Sequence, residues 1–460
     1  MSPAFDERTA RALTTVAAWS AGLRWDDVDE DVRDRLALVL FDTVAVARAG
    51  AALAENRRLR TAWPSATGAA SVFDDLPAAA DRAAWLNGTA AVALELDEAS
   101  RVTRGHAASH TVFAVLAAAQ ERGASAGETC AALLAGHEVA SRVGRSVTMA
   151  PGLHPHGSWA GLGAAAGAAR VAGLDTAGTA VALDVAGGLM LAAPWACAPG
   201  GSPVRNLWVG FANQAGLIAA RVARARDDDT VHGVVHPAFT LALGELRAEE
   251  IDRDLGVDYA VRTDFIKRHA ACGYSHAVLD VVLDLVATGR VPRRPDEIDS
   301  VLVRGTSLTA ELDVISADTR MGALFSLPYL VAAAIALGET GPAITEASTR
   351  TRPDVLALAA RVKVEIDPEL EARMPLDRGA RVEITPRGGD PLAGETPNAR
   401  WDPRHFPATW DDVLGKAERL LGPLGVETDA LHRWVLALTA GTGSVADLDS
   451  VLTPTASEES

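Results

Sequence analysis

Lysine is almost absent from this chain: of 43 basic residues, only Lys267, Lys363 and Lys416 are lysines. A desolvated ammonium gives up its proton, whereas a guanidinium in practice does not, so a retained lysine beside other reactive groups is a candidate for proton transfer. Lys267 has such neighbours, because FIKRHAACGYSH brings His269, Cys272, Tyr274 and His276 close along the chain. Lys363 lies in an alternating strand pattern and Lys416 in an amphipathic helical one, and both read as solvated surface residues.

His106 and His110 in RGHAASHTVF are four apart and share a helix face. Metal sites use that spacing, but no adjacent glutamate completes HExxH, so an acid–base group, a metal ligand and helix-end packing all stay open. His154 and His156 in PGLHPHGSW precede a Gly/Ala-rich helix whose first N–H groups would attract a carboxylate. Glu95, Asp97 and Glu98 follow the apolar run AAVALEL: either one carboxyl is poised for proton transfer by a raised pKa, or all three are a solvated helix end. His137, His232, His236, His405 and His432 have no such company and read as structural or surface histidines. Neither Ser109 nor Ser158 sits in a GxSxG elbow, and GLGAAAG at 161–167 follows no strand, so a serine nucleophile and a dinucleotide fingerprint are set aside.

The elements that must position these residues are mostly helical. Up to about residue 260, Ala- and Leu-rich segments alternate with Gly, Pro and Asp punctuation. Asp29 or Asp31 caps a helix with Val32, Leu36, Val39, Leu40 and Val44 on its apolar face, and Ser125 with Glu128 has capping-box spacing. The Gly and Ala of 157–172 allow close helix packing. Between about 295 and 390, residues 300–303, 362–366 and 381–384 alternate with period two and read as strands, with helical patterns at 323–337 and 353–360. Helical texture returns from Trp410. The predicted architecture is mainly α: a large all-helical domain over 1–265, a smaller α+β domain over 266–400, and C-terminal helices over 401–460 that return to the first domain.

Composition narrows the partner. The 460 residues are 48% hydrophobic and 22% charged, with a net charge of -17 and no basic run, which argues against nucleic acid and anionic membrane and for a small molecule or a protein. Residues 1–13 do not read as a secretory signal, and the apolar stretch 323–338 is shorter than the ~18–20 residues a membrane span needs. The latter reads as a buried helix, and the polar tail 453–460 as frayed. Cys130, Cys197 and Cys272 stand singly, as expected of reduced thiols in a cytoplasmic setting, and no CxxC supports a zinc ribbon or an iron–sulfur motif.

Seven segments, taken in order, resemble the MmgE/PrpD family, which includes 2-methylcitrate dehydratase, cis-aconitate decarboxylase and iminodisuccinate epimerase. They are LALVLFDTVAVARAG, LNGTAAVALELDE, HAASHTVFAVLAAA, AGHEVASRVG, GLHPHGSWAGLGAAAGAARVAGLD, FIKRHAACGYSHAVLD and ALFSLPYLVAAAIALG. The resemblance implies a homodimer in which each subunit has a helical domain and an α+β lid. It also implies an active site between the two that needs neither metal nor organic cofactor, and a small di- or tricarboxylate substrate that loses a proton beside a carboxylate.

Carried over by residue, the resemblance places the family's catalytic histidines on His106 and His154 and its lysine on Lys267. The later histidine falls on His276, and the acidic stretch on Glu95, Leu96, Asp97 and Glu98. Lys267, His154 and His106 are the expected proton-transfer set, with Glu95, Asp97, Arg205 and His276 as substrate-binding residues. Departures from the family pattern are Val92 and Ala99 beside the acidic stretch, and Arg205 and Trp208 in VRNLWVG. Arg205 keeps the charge to clamp a carboxylate but cannot exchange a proton, and Trp208 removes a polar group, which opens the way to a larger or less polar acid. The expected reaction is a lyase step expelling water or CO2. An epimerase on the same scaffold and a non-catalytic binding or assembly subunit are the alternatives.

Overall fold

Small side chains decide how the helices of the first half pack. The computed structural model describes residues 6–63, 67–228 and 230–454, so residues 1–5 of the leading stretch and 455–460 of the polar tail lie outside the described residues. The principal helices are α1 (Glu7–Gly22), α2 (Glu30–Ala51), α3 (Ala80–Ala91), α4 (Ala107–Arg122), α5 (Ala126–Ser146), α6 (Gly161–Val171), α7 (Thr176–Gly188) and α8 (Val204–Arg224). Helix α6, GLGAAAGAARV, lies against α4, α5, α7 and α8. A Cβ on Gly163 would stand 2.3 Å from the Gly136 carbonyl oxygen, and one on Gly216 the same 2.3 Å from the Ala164 Cβ. Bare backbone is therefore what admits this approach. Asp29 stands at the N-cap of α2 without a side-chain bond, while the Ser125–Glu128 capping box opens α5 as expected.

The second half is α+β. Helices α9 (His276–Ala287), α10 (Leu327–Leu337) and α11 (Pro353–Ala359) accompany strands β1 (Ile298–Gly305), β2 (Val362–Ile366), β3 (Ala380–Pro386) and β4 (Leu392–Thr396). The sheet order is β2-β1-β3-β4, with β1 and β2 parallel and the other pairs antiparallel. Period-two burial turns Val301, Val303, Val382 and Ile384 into one core with Val278, Val282, Leu330 and Ile335. Strand β4, LAGET, has little β-branched character and was not expected; its register is supplied by β3, with Ala380 opposite Thr396.

Helices α12 (Trp410–Leu421) and α13 (Thr428–Thr439) return to pack on α2, and α13 also touches α5. Here one reading is corrected. Lys416 is not solvated: it is 3% exposed, and its ammonium lies 2.6 Å from Asp42 of α2. An amphipathic pattern marks a face but does not say which polar residue at its margin finds a buried partner. The fold is mainly α with a smaller α+β part, and the helical part also carries short antiparallel ladders, one pairing Leu153–His154 with Ala193–Pro194. Among the described residues no single helix is long and apolar enough to cross a membrane.

Candidate active site

Three backbone devices bring distant residues together. The acidic stretch follows α3, and Glu95 takes a left-handed backbone with φ of 53°, which turns successive carboxylates in different directions. Ala99 then exchanges two backbone hydrogen bonds with Phe265, N–H to O=C distances of 2.9 and 2.8 Å, which sets Lys267 opposite the acids. Lys416 donates to the Leu96 carbonyl at 2.8 Å, tying the same stretch to α12.

The result is a buried ion cluster. Lys267 Nζ lies 2.7 Å from Glu95 Oε1 and 3.4 Å from Asp97 Oδ1, and Arg205 Nη2 reaches Glu95 Oε2 at 2.5 Å. Arg205 also donates to the Val92 carbonyl at 3.1 Å. Burial opposes the Lys267 ammonium, but Asp97 and Glu95 outweigh it and raise its pKa. Burial likewise opposes the Asp97 carboxylate, yet Lys267, His106 and Arg205 hold it well below its ordinary value. Glu98 behaves differently: burial, reinforced by Asp264, pushes it up to about 7. All three acids are thus buried, with Asp97 and Glu98 shifted in opposite directions, and the solvated helix end is ruled out.

Around the ions stand four histidines. His106 is the N-cap residue of α4, and its Nδ1 is 2.5 Å from the Glu98 carbonyl and 2.8 Å from Asp97 Oδ2. A carbonyl oxygen only accepts, so Nδ1 carries a proton. His154, in its two-residue ladder, accepts the His156 N–H on Nδ1 at 3.1 Å, which leaves its proton on Nε2. Burial, with Arg205 next, keeps both His154 and His156 neutral, well below the ordinary imidazole value. His156 faces His106, His110 and His154 with ring centroids 4.5–4.9 Å apart, and its Nε2 lies 3.4 Å from Arg205. Burial and His106 push His110 down to about 3.

Lys267, Glu95, Asp97, Arg205 and His106 therefore form one contact network, and His154 joins it through His156. His276 is not in the network. It is fully buried beside His269 and Phe265, with Nε2 3.2 Å from the Ala271 carbonyl. His110 and His156 complete the histidine layer although neither was chosen as a site residue; the four-residue spacing and the HPH triplet were their visible signals. Of the structural and surface readings of His137, the structure gives the first: it is buried, with Nε2 2.5 Å from Asp264, and belongs with Glu98 to a second layer behind the first. A separation of 127 positions between His137 and Asp264 left no local signal.

Two sets of side chains have the spacing to hold a metal, Asp97 with His106 and His156, and Glu98 with His137 and Asp264. In each, hydrogen-bonding or ionic partners already engage part of the donor set: the first presents a Nδ1 proton between Asp97 and Glu98, and the second a close His–Asp pair.

A cleft of about 1030 Å3 has Leu153, Pro155, Trp195 and Tyr274 in its walls. Trp195 stacks on His154 at 5.3 Å and meets Tyr274 at 5.9 Å, so this aromatic pair stands between the cleft and the histidines. Trp208, one of the departures noted above, also meets the His154 ring, at 5.8 Å.

Comparison with known families bears directly on this arrangement. The MmgE/PrpD N-terminal domain matches residues 14–226, and the MmgE/PrpD C-terminal domain matches residues 269–440. The chain belongs to the MmgE/PrpD family. Glu95, Asp97, His106, His154 and Arg205 lie in the N-terminal match, and Lys267 lies between the two. Membership supports an enzyme of the general lyase, dehydratase-type class. None of the curated proteins compared with the chain matches it.

Proposed function

We propose that this MmgE/PrpD protein is a lyase that removes a proton from carbon beside a carboxylate of a small di- or tricarboxylate, or of a related, less polar acid, and expels water or CO2. The observation that carries the reading is the meeting of Lys267, Asp97 and His106 in one buried network, with His106 Nδ1 anchored on Asp97 and the Glu98 carbonyl and a spare donor on Lys267. Two of the three ammonium N–H groups serve Glu95 and Asp97, and the third is left for substrate.

In the dehydration form, His106 Nε2 takes the α-proton, and the electron pair of the broken C–H bond forms the new C=C bond as the β-hydroxyl leaves. Lys267 gives that hydroxyl a proton, so water departs; the imidazolium of His106 and the neutral amine of Lys267 then re-equilibrate through solvent. The His154 Nε2–H donates to the substrate from the opposite side as a neutral imidazole, and Arg205 draws a substrate carboxylate toward the cluster. No metal or organic cofactor has a part in this scheme. A homodimeric, cytoplasmic enzyme completes the proposal.

The test is steady-state turnover on a panel of hydroxy di- and tricarboxylates. Lys267→Arg keeps the buried charge but cannot release its proton, and His106→Asn keeps a polar group without the base. Each is expected to lower kcat by ~100-fold or more, a typical acid–base contribution, with thermal melts showing a folded protein. Near-normal kcat in either variant removes that residue from the chemistry.

A further inference from the structure

Away from the ion cluster, the α+β part holds an arginine whose hydrogen-bonding edge has no partner. Arg378 precedes β3, and its guanidinium lies over the Tyr274 ring, 5.7 Å from the centroid. That contact uses the π-face. The Nε and Nη2 atoms are buried and find no hydrogen-bond partner among the described residues. These two N–H groups are parallel donors on one side of the guanidinium, the edge that grips both oxygens of a carboxylate at once.

A second, independent donor lines the same small chamber. Asn398 is 1% exposed, and its Oδ1 accepts the backbone N–H groups of Arg378 and Ala399 at 3.4 and 3.2 Å. The amide is thereby oriented, and its Nδ2 is left buried without a partner. Acids nearby are already engaged. Asp402 is paired with Arg101 and accepts the Arg404 N–H at 3.0 Å, and Asp377 is held by Arg404 and His405 at 2.9 and 2.8 Å. The chamber shares Arg101, Tyr274, Leu308 and Asp402 with the wall of the large cleft.

We infer that Arg378 and Asn398 form a carboxylate-binding site at the margin of the cleft, with the side-on edge of the guanidinium taking both oxygens and the Asn398 amide adding a third donor. Burying three polar groups with no partner is unfavourable, and a planar oxyanion satisfies all of them together. The carboxylate belongs either to the far end of an acid lying along the cleft or to a free small acid. The assignment stands on the chamber's own walls and does not depend on the lyase reading.

The experiment is calorimetric titration of the full chain with acetate and with straight-chain diacids from succinate to pimelate, at ionic strength matched with sodium chloride. Saturable acetate binding is expected in the wild type, weakened by about tenfold or more in Arg378→Met and by less in Asn398→Leu, as loss of a bidentate charge-assisted contact requires. Arg378→Lys retains the charge without the fork and is expected to weaken binding as well; it carries the reading should Arg378→Met fail to fold. Affinity that rises with diacid length and falls in Lys267→Arg assigns the site to one end of a bridging acid. Affinity indifferent to length and to Lys267→Arg assigns it to a free acid. Acetate binding no tighter than chloride in the wild type, or equal in the wild type and both Arg378 variants, overturns the inference.

Discussion

Glu98 shows how one buried carboxyl ties the site to pH. Its oxygens accept the N–H groups of Ala108 and Ser109 at 2.8 and 3.4 Å, and its carbonyl holds His106, so the residue fixes the start of α4 and the tilt of the proposed base together. Burial and Asp264 raise its pKa from 4.5 to about 7, so the folded chain binds a proton there that the unfolded chain releases. Stability from this group is complete below the unfolded value and is lost as pH rises through the folded one. A shift of this size corresponds to about 3 kcal/mol. Asp97, with its depressed pKa, acts in the opposite sense at more acid pH. Urea unfolding below and above the window between 4.5 and 7 is expected to show the loss in the wild type and a flatter profile in Glu98→Gln. An unchanged slope in Glu98→Gln assigns the dependence to another group.

At the scale of elements, the ion pair between α12 and α2 is the clearest connection between the chain's end and the site. Lys416 binds Asp42 at 2.6 Å and the Leu96 carbonyl at 2.8 Å, so a C-terminal helix holds the acidic stretch in place. Burial lowers the pKa of Lys416 and raises that of Asp42, which is the expected cost of taking both charges out of water. Lys416→Met strands a buried acid and is expected to cost about 3–5 kcal/mol, whereas adding Asp42→Leu is expected to restore most of it. Chemical denaturation of the single and double variants reads this directly, and a double variant no better than the single contradicts it. The same pair marks where sequence reasoning ran out. Local periodicity located α12 and the strands β1, β2 and β3, because burial on one face leaves a repeat within a few residues. It could not locate Lys416 or His137, whose partners lie hundreds or more than a hundred positions away, nor β4, whose register comes from its neighbour. The candidate site was legible as far as residue type and family resemblance reached; Tyr274 stood in the Lys267 segment, whereas Trp195, which carries no motif, was not legible.

At the scale of the molecule, charge and shape pull in different directions. The chain carries a net charge of -17, yet the cleft wall presents Arg101, Arg104, Arg145, Arg247, Arg262 and Arg404 beside Glu311 and Asp402. If the net charge governed approach, salt would screen repulsion and raise kcat/KM for an anionic acid. A locally positive cleft makes salt lower it, and a fall in kcat/KM across an ionic-strength series is the expected result.

The central claim, proton removal beside a carboxylate by the Lys267–Asp97–His106 network, is tested most directly by incubating the protein in D2O with a panel of small di- and tricarboxylates and following their C–H signals by proton NMR. Exchange or elimination at a carbon next to a carboxylate is expected for at least one acid, abolished in both His106→Asn and Lys267→Arg. Wild-type protein that turns over an acid without touching that C–H bond, or variants that exchange it as fast as the wild type, would contradict it.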